Sequence, residues 1–403
     1  MAKLPPFRLR TRMVARDTTE AERVSSPLEL LFDLTFVVAV AQVATQFADK
    51  IEHGVGASAI LPFLMVFFAI WWAWINFTWF ASAYDTDDIQ YRLLTLLQMG
   101  GVLVLAAGVP TAFHSGNYFG ITLGYFIMRV GLVAQWVRAG VESPAGRRTA
   151  FRYAAAITVV QIGWVLRLLL PTTPAAVPYT VYLAFLVLAA LDVSVPPWAE
   201  RTGETNWHPH HIAERYGLFT IILLGECVAS LATGIGLILN ANSPTVPLVV
   251  IGVFGLVLLF SLWWLYFLQP AGEGLETHRR ASFFWGYGHY FVFVALAALG
   301  GGLDVAVADA DGGLHLSPVA AGYAVAVPVA LYLVALWVVH APIVPKVIVR
   351  VEVVAPFALA ILLLPLAAPA IGVPAVLGGI TLAAALVVVA TIVVKHHGLA
   401  GEE

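Results

Sequence analysis

Apolar stretches alternate with short polar connections along the chain, and twelve of the stretches are long enough to cross a bilayer. A helix rises about 1.5 Å per residue, so roughly 20 apolar residues span the hydrocarbon core. The stretches lie near Leu28–Ala48, Val55–Ala81, Tyr91–Ala112, Phe119–Gly140, Ala150–Leu170, Ala175–Asp192, Ile212–Leu239, Val246–Leu268, Ser282–Leu303, Val319–Ala341, Val347–Ala368 and Val373–Val394. The pattern predicts an all-α polytopic membrane protein. The basic N-terminal stretch does not read as a removable leader, because a full-length span with two acids at its start follows it.

Composition narrows the class. Of 403 residues, 60% are hydrophobic and 11% charged, against about 25% charged in soluble domains. So few charges cannot cover a water-facing surface of this size. This excludes an ordinary cytosolic enzyme and a disordered chain. A net charge of −3 gives no basic field for nucleic acid. A single cysteine, Cys227, excludes a disulfide framework and multi-cysteine metal sites.

Basic residues orient the spans. Lys3, Arg8, Arg10, Arg12, Arg16 and Arg23 precede the first span, and the alternate loops on that side carry most of the rest, so 17 of the 21 Lys and Arg fall on one face. Lys50 lies on the other face, with Arg167 near it inside a helix. Both termini are expected in the cytoplasm, with the spans in the plasma membrane.

The halves resemble each other in order. Glu29, Thr35, Val43 and Ala44 recur 185 residues later as Glu214, Thr220, Val228 and Ala229. Trp71-Trp72 is echoed by Trp263-Trp264, Gly124-Tyr125 by Gly322-Tyr323, Trp136-Val137 by Trp337-Val338, Arg152 by Arg350, and Val177-Pro178 by Val373-Pro374. Six spans per repeat is an even number, so the repeats are expected to be parallel. The expected organisation is a basic tail over 1–25, a first six-helix repeat over 26–192, a linker over 193–211, a second repeat over 212–394 and a tail over 395–403. Such a duplication either encloses a shared transport cavity or is simply a route to a large bundle.

Ionisable residues at bilayer depth each need an explanation, because they are costly there. Ser26-Pro27-Leu28-Glu29 reads as a capping box with proline at the first helical position. Asp33 lies one turn further along the same face, and two aligned carboxylates demand a basic partner or a proton. Gln42 sits deeper. Arg129 stays charged near the middle of the fourth span. It is expected either to form a fixed ion pair with Asp33 or Glu226, or to meet an anionic substrate. Glu226, beside Gly225, reads as a proton or cation site, or as a partner of Arg129 or His289. His289, between Gly288 and Tyr290, reads either as a packed imidazole or as a proton shuttle.

Other polar features have plainer readings. The segment His208-Pro209-His210-His211-Ile212-Ala213-Glu214-Arg215 puts His211 and Glu214 three apart at a helix entrance. It matches no zinc spacing, and no metal or cofactor is assigned to the chain. Asp85-Thr86-Asp87-Asp88 is expected to be solvated loop, and Asp304, Asp309 and Asp311 are expected in an outer loop. The tryptophans at 71, 72, 74, 79, 263 and 264 read as interface anchors or as a cavity lining.

These motifs resemble a known family. Ser26-Pro27-Leu28-Glu29-Leu30-Leu31-Phe32-Asp33-Leu34-Thr35-Phe36-Val37 resembles the first signature of the bacterial low temperature requirement protein A family. His211-Ile212-Ala213-Glu214-Arg215-Tyr216-Gly217-Leu218-Phe219, with Leu224-Gly225-Glu226, is similar to its second, and Gly288-His289-Tyr290 to a third. Leu31 stands where the family often has an aromatic residue. The resemblance implies a multi-pass membrane protein and carries over Glu29, Asp33, Glu214, Arg215, Glu226 and His289 as candidate functional residues. It implies no biochemical activity.

The sequence thus points to a gradient-driven transporter of a small solute or ion, with Asp33, Arg129, Glu226 and His289 as a buried network and no nucleotide-binding loop to couple ATP. Asp85-Thr86-Asp87-Asp88 stands where the major facilitator family carries a short basic glycine motif. The rival readings are a membrane-embedded enzyme or lipid-related factor using His208, His210, His211, Glu214 and Arg215, and a channel or sensor. Substrate, coupling ion and oligomeric state are not fixed by the sequence, and the lipid bilayer is the one partner it names.

Overall fold

The computed structural model describes residues 9–17, 24–170, 177–240, 245–269, 271–312, 316–344 and 350–400. Among them there is no strand, and twelve helices are long and apolar enough to cross a membrane. They are α1 (Pro27–Glu52), α2 (Gly56–Tyr84), α3 (Ile89–Ser115), α4 (Phe119–Glu142), α5 (Arg147–Leu166), α6 (Val177–Ala199), α7 (Pro209–Asn240) and α8 (Val246–Phe267). A short α9 (Ala271–Thr277) precedes α10 (Ser282–Ala310) and α11 (Pro318–His340). Then α12 (Val351–Leu363) continues through a 3-10 turn into α13 (Ala368–Ile371), and α14 (Val373–Ala400) closes the order.

Helix ends follow local chemistry. The Ser26–Glu29 capping box forms as the sequence predicts: the Ser26 amide donates to Glu29 Oε2 at 2.8 Å and the Glu29 amide to Ser26 Oγ at 3.3 Å. Asp88 caps α3 by accepting from the Tyr91 amide at 2.9 Å. Gly116 ends α3 with φ +67°, a conformation that favours glycine. Two predicted ends move. The sixth helix runs on past Asp192 to Ala199, carrying Pro196 and Pro197 inside it. The helix α10 runs to Ala310, so Asp304 and Asp309 are helical residues and not loop.

The chain divides into two compact units, Met1–Ala39 with Met65–Arg215, and Val40–Leu64 with Tyr216–Glu403. In the first, α3 and α4 pack closely against each other. A Cβ on Gly101 would come 2.7 Å from Gly124 O and 2.9 Å from the Met128 amide, so this crossing exists because the position has no side chain. In the second unit, α10 and α11 pack closely in the same way.

The N-terminal segment of the first unit is a strap. Met13 is fully buried, its amide donates to Glu142 Oε2 at 2.6 Å, and the Thr11 amide donates to Asp88 Oδ2 at 2.8 Å. Arg10 pairs with Glu142 at 2.8 Å, and Arg138 is held between Asp88 and Glu142. Asp88 is therefore buried, which corrects the solvated loop expected for Asp85–Asp88. Asp87 does stay exposed, where it takes Arg92 at 2.7 Å. Burial opposes ionisation of Asp88, but the hydrogen bonds from Arg138 and from the Thr11 and Tyr91 amides outweigh it and hold the carboxyl at about 2.

Candidate functional site

The candidate residues of the helix interiors fall into four buried polar clusters, two in each unit. The first joins α1, α2 and α7. Arg215 grips Asp33 with two nitrogens, Nε to Oδ2 at 2.9 Å and Nη2 to Oδ1 at 2.6 Å, and its Nη1 reaches Glu29 Oε1 at 3.0 Å. Trp74 Nε1 donates to Asp33 Oδ1 at 2.7 Å, and Thr78 Oγ1 accepts from Arg215 at 3.3 Å. His211 Nε2 stands 3.1 Å from Glu29 Oε1. Glu29 thus serves both as cap and as ion-pair partner, one oxygen for each. The basic partner that two aligned carboxylates demand is Arg215, placed beside them by the first turns of α7.

Neighbouring candidates at this helix entrance are also accounted for. Glu214 accepts from the Ser25 amide at 3.1 Å and so anchors the start of α1. The His208 amide donates to Ser82 Oγ at 3.0 Å, and His210 is exposed. Among the described residues, no group of three or more His, Cys, Asp or Glu is disposed to hold a metal ion.

The second cluster corrects the expected partner of Arg129. Its carboxylate is Asp192, at 3.2 Å, and both side chains are buried. Arg129 Nη1 also donates to Asn76 Oδ1 at 3.2 Å, Nη2 meets the Tyr125 hydroxyl, and the guanidinium lies 4.5 Å from the Tyr125 ring centre. Asp192 Oδ2 accepts from Trp164 Nε1 at 2.8 Å and from Tyr125 at 3.1 Å. Both members of this pair carry further hydrogen bonds, the condition under which a buried ion pair is tolerated. The sequence reading ends a span at Asp192 and so leaves it out of the buried charges. A signal for burial is present, because Val193, Val195 and Trp198 carry the apolar character on past the acid.

The third cluster, in the second unit, centres on His289. Its Nδ1 lies 2.7 Å from Trp285 O, and its Nε2 lies 3.2 Å from the Tyr266 hydroxyl. Both ring nitrogens are therefore engaged, and His340 stacks edge-on with a centroid distance of 6.1 Å. The expected hydrogen bond between His289 and Glu226 is replaced by these contacts.

The fourth cluster is acidic. Glu226 on α7 is 9% exposed and has no hydrogen bond or salt bridge from its carboxylate among the described residues. It feels the charge of Asp304 on α10, which also reaches Glu52 on α1. Ser230 lies beside Asp304, and its hydroxyl donates to Gly300 O at 3.1 Å. Gly300 makes the room: a Cβ there would come 3.2 Å from Glu226 Cγ. Gln42 is half-buried on α1. Trp71, Trp72 and Trp74 are buried, whereas Trp263 and Trp264 are exposed and fit anchors at an apolar surface.

Twelve helices long and apolar enough to cross a membrane, with buried ion pairs among them, define a multi-pass membrane protein. The chain matches the family model of the bacterial low temperature requirement A protein over residues 24–393 and belongs to that family. It is also similar to an uncharacterized protein of Rhizobium meliloti (strain 1021), with 29% identity over 296 residues, 69% of this chain and 68% of the relative.

Proposed function

We propose that the protein is a secondary transporter in which Glu226 takes up and releases a proton or small cation. The supporting observation is the contrast among its buried charges. Asp33 and Glu29 are matched by Arg215, and Asp192 by Arg129, so these acids are fixed by partners. Glu226 is buried with a second acid, Asp304, as its charged neighbour. A carboxylate so placed cannot stay ionised without a cation or stay buried without a proton. That alternation is what coupling to an ion gradient requires.

In this reading Asp33, Arg129 and His289 hold the helices of the framework through their own partners, Arg215, Asp192 and Tyr266. The six-plus-six duplication is supported by two closely packed helix pairs at matching places, spans three and four in one unit and spans nine and ten in the other. The segment that an enzymatic site would use, His208–Arg215, is spent on capping and on pairing with Glu29 and Asp33.

The test uses full-length protein in liposomes loaded with a pH-sensitive dye. Pulses of sodium, potassium, amino acids and organic acids are applied in turn. At least one is expected to change the internal pH with the wild type and to lose that effect with Glu226→Gln, while the melting temperature stays the same. Coupled proton movement that persists in Glu226→Gln overturns the role of Glu226, and absence of any coupled movement in the wild type overturns the transport reading.

A further inference from the structure

Arg167 differs from the other buried arginines. Arg129, Arg138 and Arg215 each hold a carboxylate. Arg167, in the 3-10 turn Arg167–Leu169 that ends α5, has no salt bridge among the described residues although it is 7% exposed. Its Nε reaches Val181 O only at 3.4 Å, and its Nη2 is buried with no hydrogen-bond partner. Three rings surround the guanidinium, with centroids at 4.9 Å for Tyr118, 5.8 Å for Phe185 and 6.0 Å for Trp164. Aromatic faces attract the cation but offer no lone pair to its N–H groups.

The space beside Arg167 has the right character for the missing acceptor. An open cavity of about 450 Å³ is lined by Arg167 and Tyr118 together with Ser115, Asn117, Leu168 and Val181. Behind Arg167 and Tyr118 lies a narrow apolar crevice of about 30 Å³, walled by Trp164 and Phe185 and too small for more than a water. Arg167 thus stands between aromatic rings and the open cavity. A guanidinium presents its donors in a planar fork that matches a carboxylate.

We propose that Arg167 is the anchor of an anion-binding site in the first unit, taking a small organic monocarboxylate. The carboxylate meets the guanidinium where it lines the open cavity, and the body of the acid lies there against the Tyr118 ring, Leu168 and Val181. The site is independent of the transport reading, which stands or falls on Glu226 in the second unit.

Titration calorimetry on the full-length protein in detergent tests this with benzoate as probe, benzamide as its uncharged isostere and inorganic phosphate as a second anion. Benzoate is expected to bind the wild type and benzamide not to. Arg167→Gln removes a charge-assisted hydrogen bond and should weaken benzoate about tenfold or more, where tenfold corresponds to about 1.4 kcal/mol. Arg167→Lys should bind with intermediate affinity. Because no ion pair is broken, Arg167→Gln should melt at or above the wild-type temperature. No benzoate binding to the wild type, unchanged binding in Arg167→Gln, or a marked drop in its melting temperature each overturns the proposal. Phosphate binding in place of benzoate overturns the carboxylate assignment.

Discussion

At the scale of single residues, the stakes lie in which charge is left without a partner. Arg215 is fully buried between Asp33 and Glu29. Removing one member of such a cluster costs about 3–5 kcal/mol, because the remaining charges stay buried and unpaired. Arg215→Met should lower the melting temperature steeply in detergent. The triple variant Glu29→Gln, Asp33→Leu, Arg215→Met should recover most of the loss, since glutamine still serves a capping box. A loss below about 1 kcal/mol in the single variant would show that water already solvates the cluster. Asp88 gives a pH prediction. Its folded carboxyl sits at about 2, below the usual value of about 3.9. Its stabilisation of the strap is therefore complete above about pH 4 and is lost as the pH falls through about 2. A fluorophore on Val14→Cys should report release of the strap over that window, and Asp88→Asn should show it released at neutral pH. Glu29, Asp33 and Arg215 were visible in the sequence as candidate ionisable residues. Their pairing was not, because Asp33 and Arg215 are brought together by two helices 182 positions apart.

At the scale of elements, length and apolarity carry nearly all the information. Twelve stretches of about 20 apolar residues became twelve helices, because an unsatisfied peptide group in hydrocarbon leaves the helix as the one local solution. The ends were less legible. Asp192 and Asp304 resemble span termini by polarity, yet each lies inside a helix where Trp164 or Ser230 meets its side chain. Glycine roles were also hidden, since a glycine at a helix crossing and one facing outward look alike in sequence. Two adjacent positions on α3 make this testable. Gly101→Ala should destabilise, because its Cβ would meet the Gly124 carbonyl and the Met128 amide. Gly100→Ala, with nothing within 4 Å of its Cβ, should stabilise by about 0.5–1 kcal/mol. Thermal melts of the two variants should move in opposite directions, and a common direction would show that α3 and α4 do not cross there.

At the scale of the whole molecule, the distribution of charge sets the orientation. Lys and Arg are retained on the cytoplasmic side during insertion, so the face with 17 of the 21 is expected to be cytoplasmic. The strap carries part of that excess, with Arg10 and Arg16 paired to Glu142 and Asp85 at the same ends of α2 and α4. The α3–α4 connection, which holds Asn117 and borders the Arg167 cavity, then faces outward. Cysteine labelling can read this directly, because the native thiol of Cys227 is buried and silent. In intact cells, a membrane-impermeant maleimide should label Asn117→Cys, which is exposed, and should reach Val14→Cys, also exposed, only after the membrane is opened. The reverse pattern would invert the protein. It would place the Arg167 cavity on the cytoplasmic side, so that any carboxylate bound there would come from inside the cell. Labelling of both positions in intact cells would contradict the three spans, α1 to α3, that separate them.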